Sequence, residues 1–118
     1  MPAYDPAALA RTLDPFDFHE FAPFNDASFA VFRGDDVDNS DWELHPDTDE
    51  LLFVLHGSVT VEILTSPSSE RHALTAGQFV VVPRGLWHRH LDIRDLIELY
   101  FTPGESIQSK SADPRDQP

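Results

Sequence analysis

The chain has no cysteine, a single lysine, one methionine and only five glycines in 118 residues. Without thiols, neither disulfides nor thiolate metal sites can form, and nothing indicates an oxidising compartment. Lys and Arg total 8 against 21 Asp and Glu, giving a formal net charge of −13. Nucleic-acid binding needs Lys/Arg patches that face phosphates, so this class is excluded. No run approaches the ~20 apolar residues of a membrane span. The opening Met1-Pro2-Ala3-Tyr4-Asp5 lacks the basic and apolar regions of a signal peptide. A cytoplasmic protein without a membrane partner is expected. No serine sits in a G-x-S-x-G context and no glycine loop could cradle phosphate, so two common enzyme classes find no support.

What is present suits one domain with one core. Nine Phe supply bulk for it. Asp5 and Pro6 read as the N-cap and first residue of a short helix over residues 5–13, with Leu9 and Leu13 on one face. An extended, aromatic arm follows, with Phe16, Phe18, Phe21 and Phe24 punctuated by Pro15 and Pro23. Short strands are then expected at 28–33, 42–45, 50–55, 58–64, 71–74, 79–82, 87–92 and 96–102, with a hairpin at His56-Gly57. Many short strands without a sustained helix make an all-β fold, a barrel or jelly roll. Three regions result: an N-terminal helix and arm (1–28), a barrel domain (29–103) and a polar tail expected to be disordered (104–118).

Four side chains in β-type sequence could ligate a metal: Glu43, His45, Glu50 and His88. Glu43 and His45, two apart, project from one face of a strand. The turn glycines Gly57, Gly77 and Gly85 would bring Glu50 and His88 onto neighbouring strands. A carboxylate among barrel residues is costly to bury unless it meets a cation or hydrogen-bond donors. Imidazole with carboxylate suits first-row divalent ions. Glu43 has three readings: a fourth ligand, a general base beside a His45–Glu50–His88 site, or the mark of a site that has lost its metal. His90 and Asp92 share the His88 face by strand parity. His90 then reads as a rim residue or as an outer partner of His88, while Trp87 reads as packing and His56 as solvated. The acidic run Asp35, Asp36, Asp38 and Asp41 fits no calcium-loop spacing and reads as a solvated loop.

These residues resemble the cupin superfamily. Its first motif, G-x5-H-x-H-x(3,4)-E-x6-G, is met from position 43 as E-L-H-P-D-T-D-E-L-L-F-V-L-H-G. Its second, G-x5-P-x-G-x2-H-x3-N, is met by Gly77, Pro83, Gly85 and His88. The departures are Glu43 for the first His, Asp92 for the terminal Asn, and no Gly six residues before position 43. The resemblance implies a small single-domain jelly-roll barrel with a short N-terminal helix or arm that packs on a partner subunit. Strands apolar on both faces, 51–55 and 79–82, likewise make a homodimer the economical arrangement. It also implies a divalent metal, Fe or Mn foremost, with Ni, Zn or Co as further choices. His45, Glu50 and His88 would be the ligands, with Glu43 a fourth ligand or a catalytic base.

The leading functional reading is a metal-dependent enzyme (dioxygenase, isomerase or lyase) acting on a small organic molecule inside the barrel. An uncharged or partly apolar substrate is expected, because Lys and Arg are scarce. The alternative is a non-enzymatic small-molecule-binding module, with or without metal. A metal-free isomerase with a His base and a Tyr acid is a third reading. It is weakened because, of Tyr4 and Tyr100, only Tyr100 falls in the barrel sequence, without an obvious His partner.

Overall fold

The structure, a computed structural model, describes residues 3–21, 24–25, 27–103 and 105–116. The breaks expected at Pro23 and at Gly104 lie outside them. Helix α1 (Pro6–Ala10) begins as the sequence predicts: the Asp5 side chain accepts from the Ala8 N–H at 3.1 Å and Pro6 occupies the first turn. It ends earlier than expected, in tight turns from Thr12 N–H to the Leu9 carbonyl and from Leu13 N–H to the Ala10 carbonyl. Ala10 is fully buried against Val31 and Ile97, with Leu9 and Leu13 packed alongside.

Among the described residues nine strands follow: β1 (Phe18–Glu20), β2 (Ser28–Gly34), β3 (Val37–Asn39), β4 (Trp42–Leu44), β5 (Glu50–Leu64), β6 (Ser69–Thr75), β7 (Phe79–Val82), β8 (His88–Thr102) and β9 (Ile107–Ser109). All pairings are antiparallel, and the sheet curls into a jelly-roll barrel. Its frame is the long pair β5–β8, which runs from Leu51↔Phe101 to Ile63↔His88 with register shifts in its middle. β8 also pairs with β2, β3 and β4 in turn, while β5 pairs with β7 along its first half and β6 along its second.

The two long strands correct the sequence expectation, which cut each of them in two. There is no hairpin at His56-Gly57. Register shifts run from Val54 to Thr60, and the chain bends without reversing. Gly57 sits at φ +76, and a Cβ there would lie 2.1 Å from the Asp95 carbonyl oxygen of β8. β8 answers with left-handed residues at Asp92 (φ 50) and Asp95 (φ 45). Such irregularities kink a strand and change which side chains face inward. On β5 the residues buried in alternation are Glu50, Leu52 and Val54, then Val59, Val61 and Ile63, with Glu62 and Leu64 buried as well. On β8 His88, Ile93, Leu96 and Glu98 are buried, with Ile97 and Thr102. The parity that put Asp92 beside His88 therefore fails, and Asp92 is exposed.

Leu52, Val54, Val59, Val61, Ile63, Leu74, Val82, Ile93 and Leu96 form the main core. The buried Glu62 carboxylate is met by Arg71 Nε at 2.8 Å and Arg89 Nε at 2.9 Å. The tail also departs from expectation. Residues 107–109 form a strand on β4, and a 3₁₀ turn (Pro114–Asp116) follows with Pro114 buried. Its polar composition concealed this because the strand needs only backbone partners and an open β4 edge. The Asp35, Asp36, Asp38 and Asp41 side chains are exposed, as expected, but Asp38 lies in β3, so the segment is not the plain loop the sequence suggested.

Candidate metal centre

Three strand beginnings and ends converge at one end of the barrel. Glu43 lies in β4 and His45 follows that strand directly, Glu50 opens β5, and His88 opens β8 with Glu43 as its cross-strand partner. The two motif loops are tied together: Gly85 N–H donates to the His45 carbonyl at 2.8 Å, and Arg84 N–H donates to Asp49 Oδ1 at 3.0 Å.

The four candidate ligands each offer a donor atom, and these atoms all lie within 4.8 Å of one another. His45 Nε2 is 3.0 Å from Glu43 Oε1 and 3.3 Å from Glu50 Oε2. His88 Nε2 is 2.9 Å from Glu50 Oε1 and 3.4 Å from Glu43 Oε1. His45, Glu50 and His88 are buried, whereas the Glu43 side chain is 31% exposed. Among the described residues, two outer contacts of the cluster come from the tail. His45 Nδ1–H donates to the Glu105 carbonyl at 3.0 Å, and Ser106 Oγ donates to Glu43 Oε2 at 2.8 Å.

The electrostatics follow from this packing. Contact with Glu50 raises His45 to about 9, against the opposing effect of burial. Burial would lower His88, but Glu43 and Glu50 outweigh it and hold the ring at about 9. Burial would likewise raise Glu43, yet His88, Ser106 and the charge of His45 bring it to about 2. Glu50 is lowered too, with His45 and His88 overcoming burial.

The donor set fits a divalent cation. Two imidazole nitrogens and two carboxylates give a neutral site with such an ion. Glu50 Oε1 forms an ion pair with His88 Nε2 at 2.9 Å but has no hydrogen-bond partner among the described residues. A cation seated between the two side chains would satisfy it.

The centre opens on a cavity of about 770 Å³ whose lining includes Phe16, Phe18, Phe32, Trp42, Leu52 and Ile93. A second buried polar pair faces the same space. His90 Nε2 lies 2.9 Å from Glu98 Oε1, and Glu98 is 2% exposed. Burial opposes a charge on His90, but Glu98 raises its pKa nonetheless. The sequence reading missed Glu98 because it cut β8 into strands 87–92 and 96–102, so the face of His88 and His90 was not followed to position 98. Tyr100 lines this cavity as well. Burial, then nearby carboxylates, raise its pKa and keep the phenol protonated. His56 is exposed and Trp87 is half-buried, in line with expectation.

A curled antiparallel barrel with histidines and carboxylates gathered at its inner end defines a class, the small single-domain β-barrel with a candidate metal pocket. The family described as "Cupin domain" matches residues 36–95. The chain belongs to that family. It is 37% identical over 60 residues to the "Uncharacterized protein YdbB" of Bacillus subtilis (strain 168), a match covering 51% of this chain and 47% of that protein. The chain thus spans about half the length of the curated relatives it matches. Among solved structures, a cupin-2 domain containing protein from Shewanella frigidimarina superposes with a TM-score of 0.65 at 23% identity, covering 82% of this chain and 89% of that one. Oxalate decarboxylase of Bacillus subtilis, described with Mn(II) centres, superposes with a TM-score of 0.62 at 18% identity, over 70% of this chain and 23% of that one. Likeness at these identities concerns the fold. No helix of the described residues is long and apolar enough to cross a membrane.

Proposed function

We propose that this cupin binds one divalent metal ion through His45, Glu50, His88 and Glu43, and acts as an enzyme on a small organic molecule held in the barrel. The observation that carries this reading is the meeting of four donors within 4.8 Å at a large, mostly apolar-walled cavity. Fe or Mn leads by family resemblance, with Ni, Zn or Co as further candidates. When bound, the metal would supply Lewis acidity or a template for substrate or O₂. Glu43 Oε1 stands among the other donor atoms, which supports the ligand reading over the general-base reading. Dioxygenation, isomerisation and lyase chemistry all suit such a site, and the fold does not choose among them.

Charge supports an uncharged or partly apolar substrate. A divalent ion is matched by Glu43 and Glu50, leaving no surplus positive charge for an anion. Among the described residues, Arg89 is the one Lys or Arg lining the cavity. Its Nε and Nη2 both lie 2.9 Å from Glu62 Oε1, and its guanidinium covers the Trp42 ring at 4.3 Å. A dicarboxylate would therefore enter a buried space without a free cation to meet it.

The second reading, a non-enzymatic binding barrel, has its own support. Two protonated imidazoles and two carboxylates balance each other without a metal. The deciding experiment is elemental analysis after stripping, reloading with mixed Fe, Mn, Co, Ni and Zn, and gel filtration. About one metal per chain, lost in the Glu50→Ala/His88→Ala double variant, is the expected result. No retained metal would transfer the case to the binding module.

A further inference from the structure

We infer that the C-terminal segment 105–109 is a strap that sets the metal ligands from outside, with Ser106 a positioning residue for Glu43 and the Glu105 carbonyl fixing His45. The inference rests on the metal reading above and assigns this chain's own outer contacts to it.

The strap lies antiparallel on β4 with pairs Trp42↔Ser109, Glu43↔Gln108 and Leu44↔Ile107. It thereby runs past both Glu43 and His45. Ser106 Oγ holds Glu43 Oε2 at 2.8 Å, which fixes the carboxylate's rotation and leaves Oε1 turned to His45 Nε2 and His88 Nε2. A carboxylate with one oxygen tethered and the other aimed is set up to donate through a single atom. The Glu105 carbonyl accepts the Nδ1 hydrogen of His45, so the ring is oriented with Nε2 facing the cluster. Ligating histidines usually have their other nitrogen held in this way, and loss of such outer partners weakens metal binding by about 10- to 100-fold.

Among the described residues, little else holds the strap. β9 has three residues, and Ile107 is 48% exposed. Its firm anchor lies beyond it, where Pro114 is buried and Arg115 Nη1 donates to the Thr65 carbonyl at 2.5 Å and to the Ser68 carbonyl at 2.9 Å. The centre of the strap thus depends on the β4 edge and on its two bonds to the ligands. Coupling between two events is reciprocal. If the docked strap strengthens metal binding, bound metal must hold the strap down by the same factor.

The test is a Mn(II) titration of the full chain, wild type against Ser106→Ala and Ser106→Thr, followed by calorimetry and by the Mn(II) electron paramagnetic resonance signal. Amide exchange at residues 107–109 is measured with and without Mn(II). We expect Ser106→Ala to lose about tenfold in affinity with an altered resonance signal, while Ser106→Thr keeps its affinity within about threefold because the hydroxyl remains. Strap exchange should slow on adding Mn(II) to the wild type, and less so in Ser106→Ala. Equal Mn(II) affinity in wild type and Ser106→Ala, or strap exchange indifferent to Mn(II), would overturn the strap and leave the metal reading standing. A wild type that takes up neither Mn(II) nor any of the other four metals would overturn both. Equal thermal stability of the metal-free variants would confirm that the loss of affinity reports on positioning.

Discussion

Each histidine of the cluster holds its Nε2 against two carboxylates, so protons and a metal ion compete for the same place. Both rings stand at about 9 against an ordinary 6.5. A raised pKa means that the folded state binds the proton more tightly than the unfolded chain does. That stabilisation is full below pH 6.5 and is lost as pH rises through 9. Glu43, at about 2 against 4.5, contributes in the opposite sense: its share is present above 4.5 and lost as pH falls through 2. The metal-free protein is therefore expected to be most stable between about pH 4.5 and 6.5, and to weaken towards pH 9. With metal bound, the ion replaces the protons and the alkaline loss should disappear, because ligation requires neutral imidazole. Urea midpoints at about pH 6 and about pH 9, with and without Mn(II), check this. An alkaline loss that persists undiminished in the loaded protein would count against ligation by these rings.

At the scale of elements, the bends of β5 and β8 decide what faces the cavity. Gly57 is the tightest point, since its backbone, at φ +76, passes close against Arg94 and Asp95 of β8. Their carbonyl oxygens would lie 2.3 and 2.1 Å from an added Cβ. Gly77 has a φ of +91 but nothing within 4 Å of such a Cβ. Gly77→Ala should then cost only the left-handed backbone term, about 1–2 kcal/mol. Gly57→Ala should cost clearly more, because backbone must move as well. Chemical denaturation of the two variants gives the comparison, and equal costs would refute a close crossing at Gly57. The same bends mark where the sequence stopped being legible. Helix start, strand-rich architecture and the Glu43–His45–Glu50–His88 meeting could be read from caps, alternation and motif spacing, all of which are local signals. Gly57 reads as a turn whether the chain reverses or kinks, so one long strand looked like two. His90 and Glu98 are eight residues apart on β8 and share a face by simple alternation, but with the strand read as two pieces that parity was not carried from one to the other. Ser106 sits in a polar stretch with no periodic pattern, and its bond to Glu43 spans 63 positions.

Across the whole molecule, the outer face of the barrel is covered unevenly. Helix α1 shields the side bearing Val31 and Ile97, with Leu55 and Leu99 packed beside them. On β7, by contrast, Phe79 is 57% and Val81 46% exposed. They continue a stripe across neighbouring strands, with Val81 paired to Leu51, Leu51 to Phe101, and Phe79 stacked near Phe53 at 6.2 Å. These paired side chains form an apolar stripe across adjoining strands of a chain whose net charge is −13. We propose that a second copy covers it, making the homodimer suggested by strands apolar on both faces. Burying an apolar side chain of this size stabilises by roughly 1.5–3 kcal/mol, so replacing two of them should shift the equilibrium strongly. Sedimentation should give twice the chain mass for the wild type and the single-chain mass for Phe79→Lys/Val81→Lys, with the circular dichroism unchanged. Both substitutions lie on an edge strand with outward side chains, so the fold itself should tolerate them. A wild type that sediments as one chain at every concentration tested would refute the dimer, and the exposed stripe would then be a property of the isolated barrel.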